Sequence, residues 1–378
     1  MPVERADVAI VGAGILGLAH AYTFASKGRS VVVFERNLRA EGASVRNFGM
    51  IWPIGQAAGA PHQLALRSRE IWLDVLQRAG LPYLPTGSLH VTYRSDEAEV
   101  AREFSQVGPE RGYECQWLSA DAVLSRSQAV RPQGLLGGLW SSLELTIDPR
   151  SILARLPHFL AEQLAVQFRY GCPVRSVALP RVEAGAEQWE VDHVIVCSGH
   201  DFETLYPSLL RGAGLTRCKL QMMRTLPQPA GWRLGPSLAA GLTLRFYPAF
   251  EICSSLPALK QRITAETPEY DRWGIHLLVS QTEQGELTIG DSHEYGETVD
   301  IFDKAEINRL ILDYSRTFLQ VPCLDLAQHW HGIYAKHPTQ PFVSLSPESG
   351  VCIVTATGGS GMTLSFGIAE QTVSKMEV

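Results

Sequence analysis

Positive charge is not in excess in this sequence: 33 Lys plus Arg stand against 39 Asp plus Glu, a formal net charge of −6. That balance exerts no global pull on nucleic acid or on an anionic bilayer, so neither is expected as a partner. Paired cysteines are missing too. Cys115, Cys172, Cys197, Cys218, Cys253, Cys323 and Cys352 include no Cys-x-x-Cys and no His at zinc-site spacing. An odd number of dispersed thiols in a large chain points to a reducing compartment and to buried, inert side chains. There is no uninterrupted apolar run of bilayer length. The best approach to one, residues 8–25, is broken by Gly12, Gly14 and Gly17 and follows Glu4, Arg5 and Asp7 rather than a basic leader. This argues against a signal peptide, and a cytoplasmic protein is expected. Neither a Ser-His-Asp set nor a pair of carboxylates spaced for acid–base work stands out.

The chain does have size and a globular composition. At 378 residues it exceeds the length at which one hydrophobic core keeps growing, so two domains are expected. Hydrophobic residues make up 45% and charged residues 19%, which suits a folded enzyme and excludes a disordered chain.

The first 35 residues carry the most specific signal. Residues 7–11 (DVAIV) form an apolar run suited to a buried parallel strand. The segment GAGILG (12–17) follows at once, a helical pattern runs over 15–27, and Gly28 stands where a helix ends. A second run, 30–34 (SVVVF), ends in Glu35. Gly12 permits a tight turn, Gly14 lets the backbone approach a pyrophosphate, and Gly17 allows helix and strand to pack closely. The helix start at Ile15 and Leu16 then offers free N–H groups to phosphate oxygens. Glu35 is placed to accept hydrogen bonds from ribose hydroxyls, and its charge disfavours a 2′-phosphate. The unit binds a dinucleotide but does not by itself separate FAD from NAD.

Three further segments point to FAD. A long polar loop, residues 36–50 (RNLRAEGASVRNFGM), follows the ribose-binding acid and carries Arg36, Ser44, Arg46, Asn47, Gly49 and Met50. Residues 172–177 (CPVRSV, with Val174) and 192–199 (DHVIVCSG, with Ser198 and Gly199) read as a strand pair returning to the nucleotide sheet. Residues 351–363 (VCIVTATGGSGMT) read as a strand running into Gly358, Gly359, Gly361, Met362 and Thr363, with a helical pattern over 364–376. That second helix start suits the negative charge of a reduced flavin.

In this order, these segments resemble the FAD-dependent D-amino-acid oxidase / glycine oxidase / sarcosine oxidase family over essentially the whole chain. The resemblance implies an α/β protein with a Rossmann-type, glutathione-reductase-like FAD-binding domain. It also implies a discontinuous α+β substrate domain on a mostly antiparallel sheet. The FAD domain would take residues 1–85, 140–215 and 330–378, with LTIDPR (145–150) as a re-entry point, and the substrate domain 86–139 and 216–329. Strands are expected at 241–250, 274–280 and 286–291, and a helix at 303–319. The family oxidises a C–N bond by hydride transfer to flavin N5, the imine is hydrolysed, and oxygen or another acceptor reoxidises the flavin. Some members hold flavin through a Cys or His, which singles out Cys323 and Cys352. The run Asp291, Ser292, His293, Glu294 resembles a metal cluster superficially but falls where relatives end a strand, so no metal is expected.

One departure from the family is informative. A Gly-x-Arg-Pro usually supplies an Arg that clamps a substrate carboxylate, whereas the matching stretch here, WHGIYAKHP (330–338), offers Lys336. Lys is a compact point charge and suits a compact anion such as a phosphonate. NFGM with WHGIYAKHP resembles a glycine-oxidase-like subgroup associated with aminophosphonate breakdown. The expected substrate is a small aminoalkylphosphonate, 2-aminoethylphosphonate or its N-methyl derivative, oxidised to an aldehyde with hydrogen peroxide formed. Glycine, sarcosine or a D-amino acid, with oxygen or another acceptor, is the alternative. A flavin-binding subunit of a larger complex is the alternative of another class. The chain itself is expected as a monomer or homo-oligomer. Arg46 and Asn47 are the catalytic candidates. Lys336, Tyr334, His337, Trp52 and His276 are pocket candidates, with Arg245 and Tyr247 sharing one face of an expected strand.

Overall fold

The structure, a computed structural model, describes residues 3–376. Its nucleotide half is a six-stranded sheet in the spatial order Val343–Leu345, Val351–Thr355, His193–Val196, Val8–Val11, Val31–Glu35, Gln167–Tyr170. All neighbours are parallel except the first pair. Val8–Val11 is buried along its whole length because both faces are covered, and this is why it reads as an unbroken apolar run. One face packs under the helices Ile15–Ser26, Ala60–Arg78, Pro149–Leu164 and Gly361–Met376, through Leu18, Phe24, Trp72, Leu156 and Phe366. The other face is covered by a small sheet of Glu4–Arg5, Glu187–Glu190, Arg181–Ala184 and Val174–Ala178, whose Trp189 meets Phe34 edge-on at 5.6 Å.

That small sheet corrects one expectation. His193–Val196 joins the nucleotide sheet, but its expected partner, Val174–Ala178, pairs with Arg181–Ala184 instead. Burial explains the difference: Val194, Ile195 and Val196 are all buried, whereas Arg175 and Ser176 face solvent. A half-exposed strand fits a cover, not the centre of a parallel sheet.

The second half is a nine-stranded sheet, antiparallel except where Ser237–Ala239 runs parallel to Ser88–Thr92. Thr216–Thr225 is flanked on one side by Leu287–Gly290 and Glu294–Gly296, and on the other by Leu326–Lys336. The expected helix at 303–319 is Ala305–Phe318, and the expected strands at 274–280 and 286–291 are Leu278–Gln281 and Leu287–Gly290. Residues 241–250 form no strand: Gly241–Leu244 is a helical turn and Pro248–Ile252 a 3-10 turn. All four residues of that first turn are buried, so the apolar run has no alternation to distinguish strand from helix, and Pro248 opens the second turn. The expected boundaries at 139/140 and 329/330 fall inside Gly137–Ser141 and Leu326–Lys336. The latter strand crosses between the halves, with Lys336 bridging to Thr357. Among the described residues, no helix is long and apolar enough to cross a membrane.

Candidate active site

A cavity of about 1010 Å³ runs from the Gly12–Leu16 turn, past the 36–48 loop, to the face of the larger sheet. Its volume lies at the upper end of ordinary small-molecule sites, as a long dinucleotide requires. At one end the turn is shaped to bring backbone close. Gly12 has φ +102°, and a Cβ there would lie 2.5 Å from the Cys197 carbonyl oxygen. A Cβ on Gly17 would lie 1.9 Å from the Gly12 carbonyl oxygen. The helix that follows has no capping side chain of its own and no acid in its first turn. Ser44 reaches over from the loop to accept the Ile15 N–H at 3.0 Å.

Glu35 ends its strand with both carboxylate oxygens oriented by backbone, accepting from Ala13 N–H and Asn37 N–H at 3.0 Å each. Arg36 pairs with Asp201 across the wall. Burial alone raises the Asp201 carboxyl, but hydrogen bonds from Thr204 and Arg36 outweigh it and hold it at about 2. Val174, Ser198, Gly199, Gly358, Gly359, Gly361 and Met362 line the same cavity, so the second helix start, Gly361–Met376, faces it as expected. These glycine-formed approaches, the oriented acid and two helix starts facing the cavity fit a dinucleotide such as FAD. Gly17, Gly49, Met50 and Thr363 stand behind the wall; Thr363 accepts the Trp52 N–H at 2.9 Å. Sequence reasoning passed over Asn37, Asp201 and Ser360, all in the wall. Ser360, inside the Gly-Gly-Ser-Gly helix start and hydrogen-bonded to Gln56 at 3.1 Å, had a readable signal.

Arg46 and Asn47 both line the cavity, the Arg46 guanidinium engaged through one nitrogen and the Asn47 amide through both its ends. Arg46 donates to the His331 carbonyl at 3.1 Å. The Asn47 amide donates to the Ala43 and Ser44 carbonyls at 2.9 Å and accepts from Gly49 N–H at 2.7 Å, which orders the loop. Neither Cys323 nor Cys352 is in the wall.

At the sheet end, Tyr334 and Lys336 alternate onto one face of their strand, and both line the cavity beside Gly358 and Gly359. Lys336 Nζ donates to Tyr295 Oη at 3.2 Å and lies 4.8 Å from the centre of that ring. Tyr247, His276 and His337 line it as well, though His337 Nδ1 already accepts from Thr339 and Gln340 N–H. Two expected pocket residues are elsewhere. Arg245 is paired with Asp271 and donates to the Leu242 and Ile275 carbonyls, because its segment is a turn rather than a strand. Trp52 is a second layer, packed on His90 and Tyr247 at 5.5 and 6.3 Å.

The structure adds two residues that the sequence had not singled out for the pocket. Asp291 and His293 line the cavity with His276, and one donor atom from each lies within 4.8 Å of the others. Glu294 turns away to pair with Lys304. Burial pushes the Asp291 carboxyl well up and the His276 imidazole well down. Burial also lowers His293, with the Lys336 charge adding to it, to about 4.

The comparisons with known proteins agree with this geometry. Glycine oxidase from Geobacillus kaustophilus is 24% identical over 175 residues, 44% of this chain and 46% of that protein. The bifunctional protein ThiO/ThiG from Nostoc sp. is 28% identical over 179 residues, 45% of this chain and only 26% of that longer protein. The match therefore spans less than half the length of these relatives. The solved Geobacillus kaustophilus glycine oxidase superposes with a TM-score of 0.77 at 18% identity, covering 99% of this chain and 95% of that one. L-proline dehydrogenase from P. horikoshii gives 0.77 at 16% identity over 99% and 94%, which shows a shared fold. Residues 7–375 match the family described as FAD dependent oxidoreductase (DAO), and on that near-complete match the chain belongs to the DAO family of FAD-dependent oxidoreductases.

Proposed function

We propose that this protein oxidises the C–N bond of a small amine that carries a compact anionic group, with an aminoalkylphosphonate such as 2-aminoethylphosphonate or its N-methyl derivative as the substrate class. FAD, the family's cofactor, supplies the electron sink, and the protein supplies position, dryness and charge. One observation supports the reading of the anion: Lys336 lines the cavity beside the second helix start, where the related motif has an arginine. A Lys–anion contact is a point-charge contact, so it accommodates a compact phosphonate without the bidentate geometry that a guanidinium fork imposes on a carboxylate. Tyr334, which lines the same cavity, adds a hydroxyl donor of the right kind for phosphonate oxygens.

An amino acid is the second reading, and the names of the glycine oxidase and L-proline dehydrogenase neighbours favour it. A panel of amines, amino acids and aminophosphonates, assayed for peroxide and again with an artificial electron acceptor, separates the two. Lys336→Ala is expected to raise KM for the phosphonate by about 10- to 100-fold, as for loss of one charged hydrogen bond. KM for a neutral amine of the same length stays within a factor of about two under this reading. Turnover of glycine or sarcosine together with silence towards every phosphonate overturns the phosphonate assignment.

A further inference from the structure

His276 and Asp291 face each other across the sheet. His276 N–H donates to the Asp291 carbonyl at 3.2 Å and Asp291 N–H to the His276 carbonyl at 2.9 Å, so both side chains leave the same face. His276 Nε2 then lies 3.2 Å from Asp291 Oδ1. That approach is too poorly aligned to count as a hydrogen bond, and Oδ1 remains buried without a partner, as does His276 Nδ1. His293, two residues on, contacts the Gly274 carbonyl through Nδ1 at 2.9 Å. A carbonyl only accepts, so Nδ1 carries the proton and Nε2 keeps a free lone pair. Phe246 covers both imidazoles, its ring centre 3.9 Å from His276 and 4.4 Å from His293, which leaves the group open towards the cavity. A carboxyl group buried in this way, among neutral imidazoles and with no cation of its own, is costly unless something brings it a proton or a positive charge.

An aliphatic amine arrives with both. Near neutral pH it is an ammonium ion, and the nitrogen has no lone pair with which to form C=N while hydride departs. We propose that Asp291, positioned by His276, is the general base that accepts the proton of the substrate's ammonium group before oxidation; the proposal rests on the amine-oxidising reading above. The N–H bond breaks, its proton goes to the Asp291 carboxylate, and its electron pair stays on nitrogen. That pair would then be free to form the C=N bond, for which the family's flavin, when bound, would supply the acceptor of the hydride from the adjacent C–H bond. Of the other acids in the cavity wall, Glu35 is engaged with two backbone N–H groups and Asp201 with Arg36 and Thr204, whereas Glu41, beside Arg39, and Glu251 are exposed to solvent. Lys336 lines the same cavity, so a zwitterionic substrate has a positive as well as a negative partner there.

His90 and His293 are held neutral by burial, at about 3 and about 4. Burial likewise raises the Tyr247, Tyr295 and Tyr334 phenols, and it raises the Cys218 thiol to about 12. Lys336 and Arg245 contribute positive charge.

The test is the pH dependence of flavin reduction in anaerobic single turnovers of the holoenzyme. Wild type is expected to reach a level kcat/KM with an ordinary amine once the Asp291 carboxyl is ionised, because the ammonium form is the one that binds. Asp291→Asn is expected to lose about 100- to 1,000-fold at pH 7, the scarcity of free amine when its pKa is near 10, and to recover with unit slope as pH rises. A fluorinated, weakly basic analogue of the same shape is expected to lose less than about 10-fold. Equal losses for both amines with a profile parallel to wild type overturn the proposal and leave Asp291 a structural residue. A stoichiometric metal ion in the purified protein that disappears in Asp291→Asn also overturns it. If no amine reduces the wild-type flavin at all, the amine-oxidising reading fails instead.

Discussion

Gly17→Ala is expected to yield a nearly colourless protein. The added methyl would sit 1.9 Å from the Gly12 carbonyl oxygen and 3.1 Å from its carbon, with the Ile10 side chain 3.3 Å away. The nearest atoms are backbone, so no rotamer change relieves the contact, and the helix start has to move away from the strand that ends at Val11. That displacement opens the turn whose N–H groups would hold the pyrophosphate. FAD affinity is expected to fall at least about 100-fold, roughly 3 kcal/mol, read as the flavin-to-protein ratio after gel filtration and by titration of the apoprotein. Gly28→Ala is the control. Gly28 has φ +81° but nothing within 4 Å of its would-be Cβ, so that substitution strains the backbone by about 1 kcal/mol without touching the site. A Gly17→Ala protein with full flavin and wild-type affinity would remove this turn from the cofactor site.

The contrast between these two glycines also marks what was legible beforehand. The turn at 12–17, Glu35 and the start of the final helix are contiguous stretches, and their chemistry follows from local geometry that a sequence displays. The same holds for Ala305–Phe318, whose buried residues Ile307, Leu310, Ile311 and Phe318 recur at helical spacing. Residues 241–250 were opaque because every one of the first four is buried, and uniform burial erases the period that separates strand from helix. Arg245 was misplaced with them. The Asp291–His276 pair was opaque for another reason: it is a cross-strand contact between positions 15 residues apart, set by the register in which Leu278 faces Gly290. Register depends on the whole sheet, so the run from Asp291 to Glu294 looks like a local cluster although His276, just before the neighbouring strand, is what faces Asp291.

The largest loss of stability is expected from Trp72→Ala, and it reaches the site through the second helix start. Trp72 is fully buried between the helices Ala60–Arg78 and Gly361–Met376, edge-on to Phe366 at 4.8 Å. Its indole N–H donates to the Met362 carbonyl at 2.8 Å, and Met362 is itself in the cavity wall. Removing the ring leaves a cavity costing about 3–5 kcal/mol. The melting midpoint is expected to fall by roughly 6–10 °C on that account, taking about 2 °C per kcal/mol for a chain of this size. Trp72→Phe keeps most of the volume and loses only the hydrogen bond, so it is expected to cost about 1 kcal/mol. The two variants separate packing from positioning once FAD is added. Added FAD stabilises any form that binds it in proportion to affinity. If Trp72 only fills space, the rise in midpoint on adding FAD is the same in wild type and Trp72→Phe. If the indole also fixes the helix start, that rise shrinks in Trp72→Phe although its apoprotein is nearly as stable. The second result is expected, because the only polar atom of Trp72 is committed to a residue of the cavity wall.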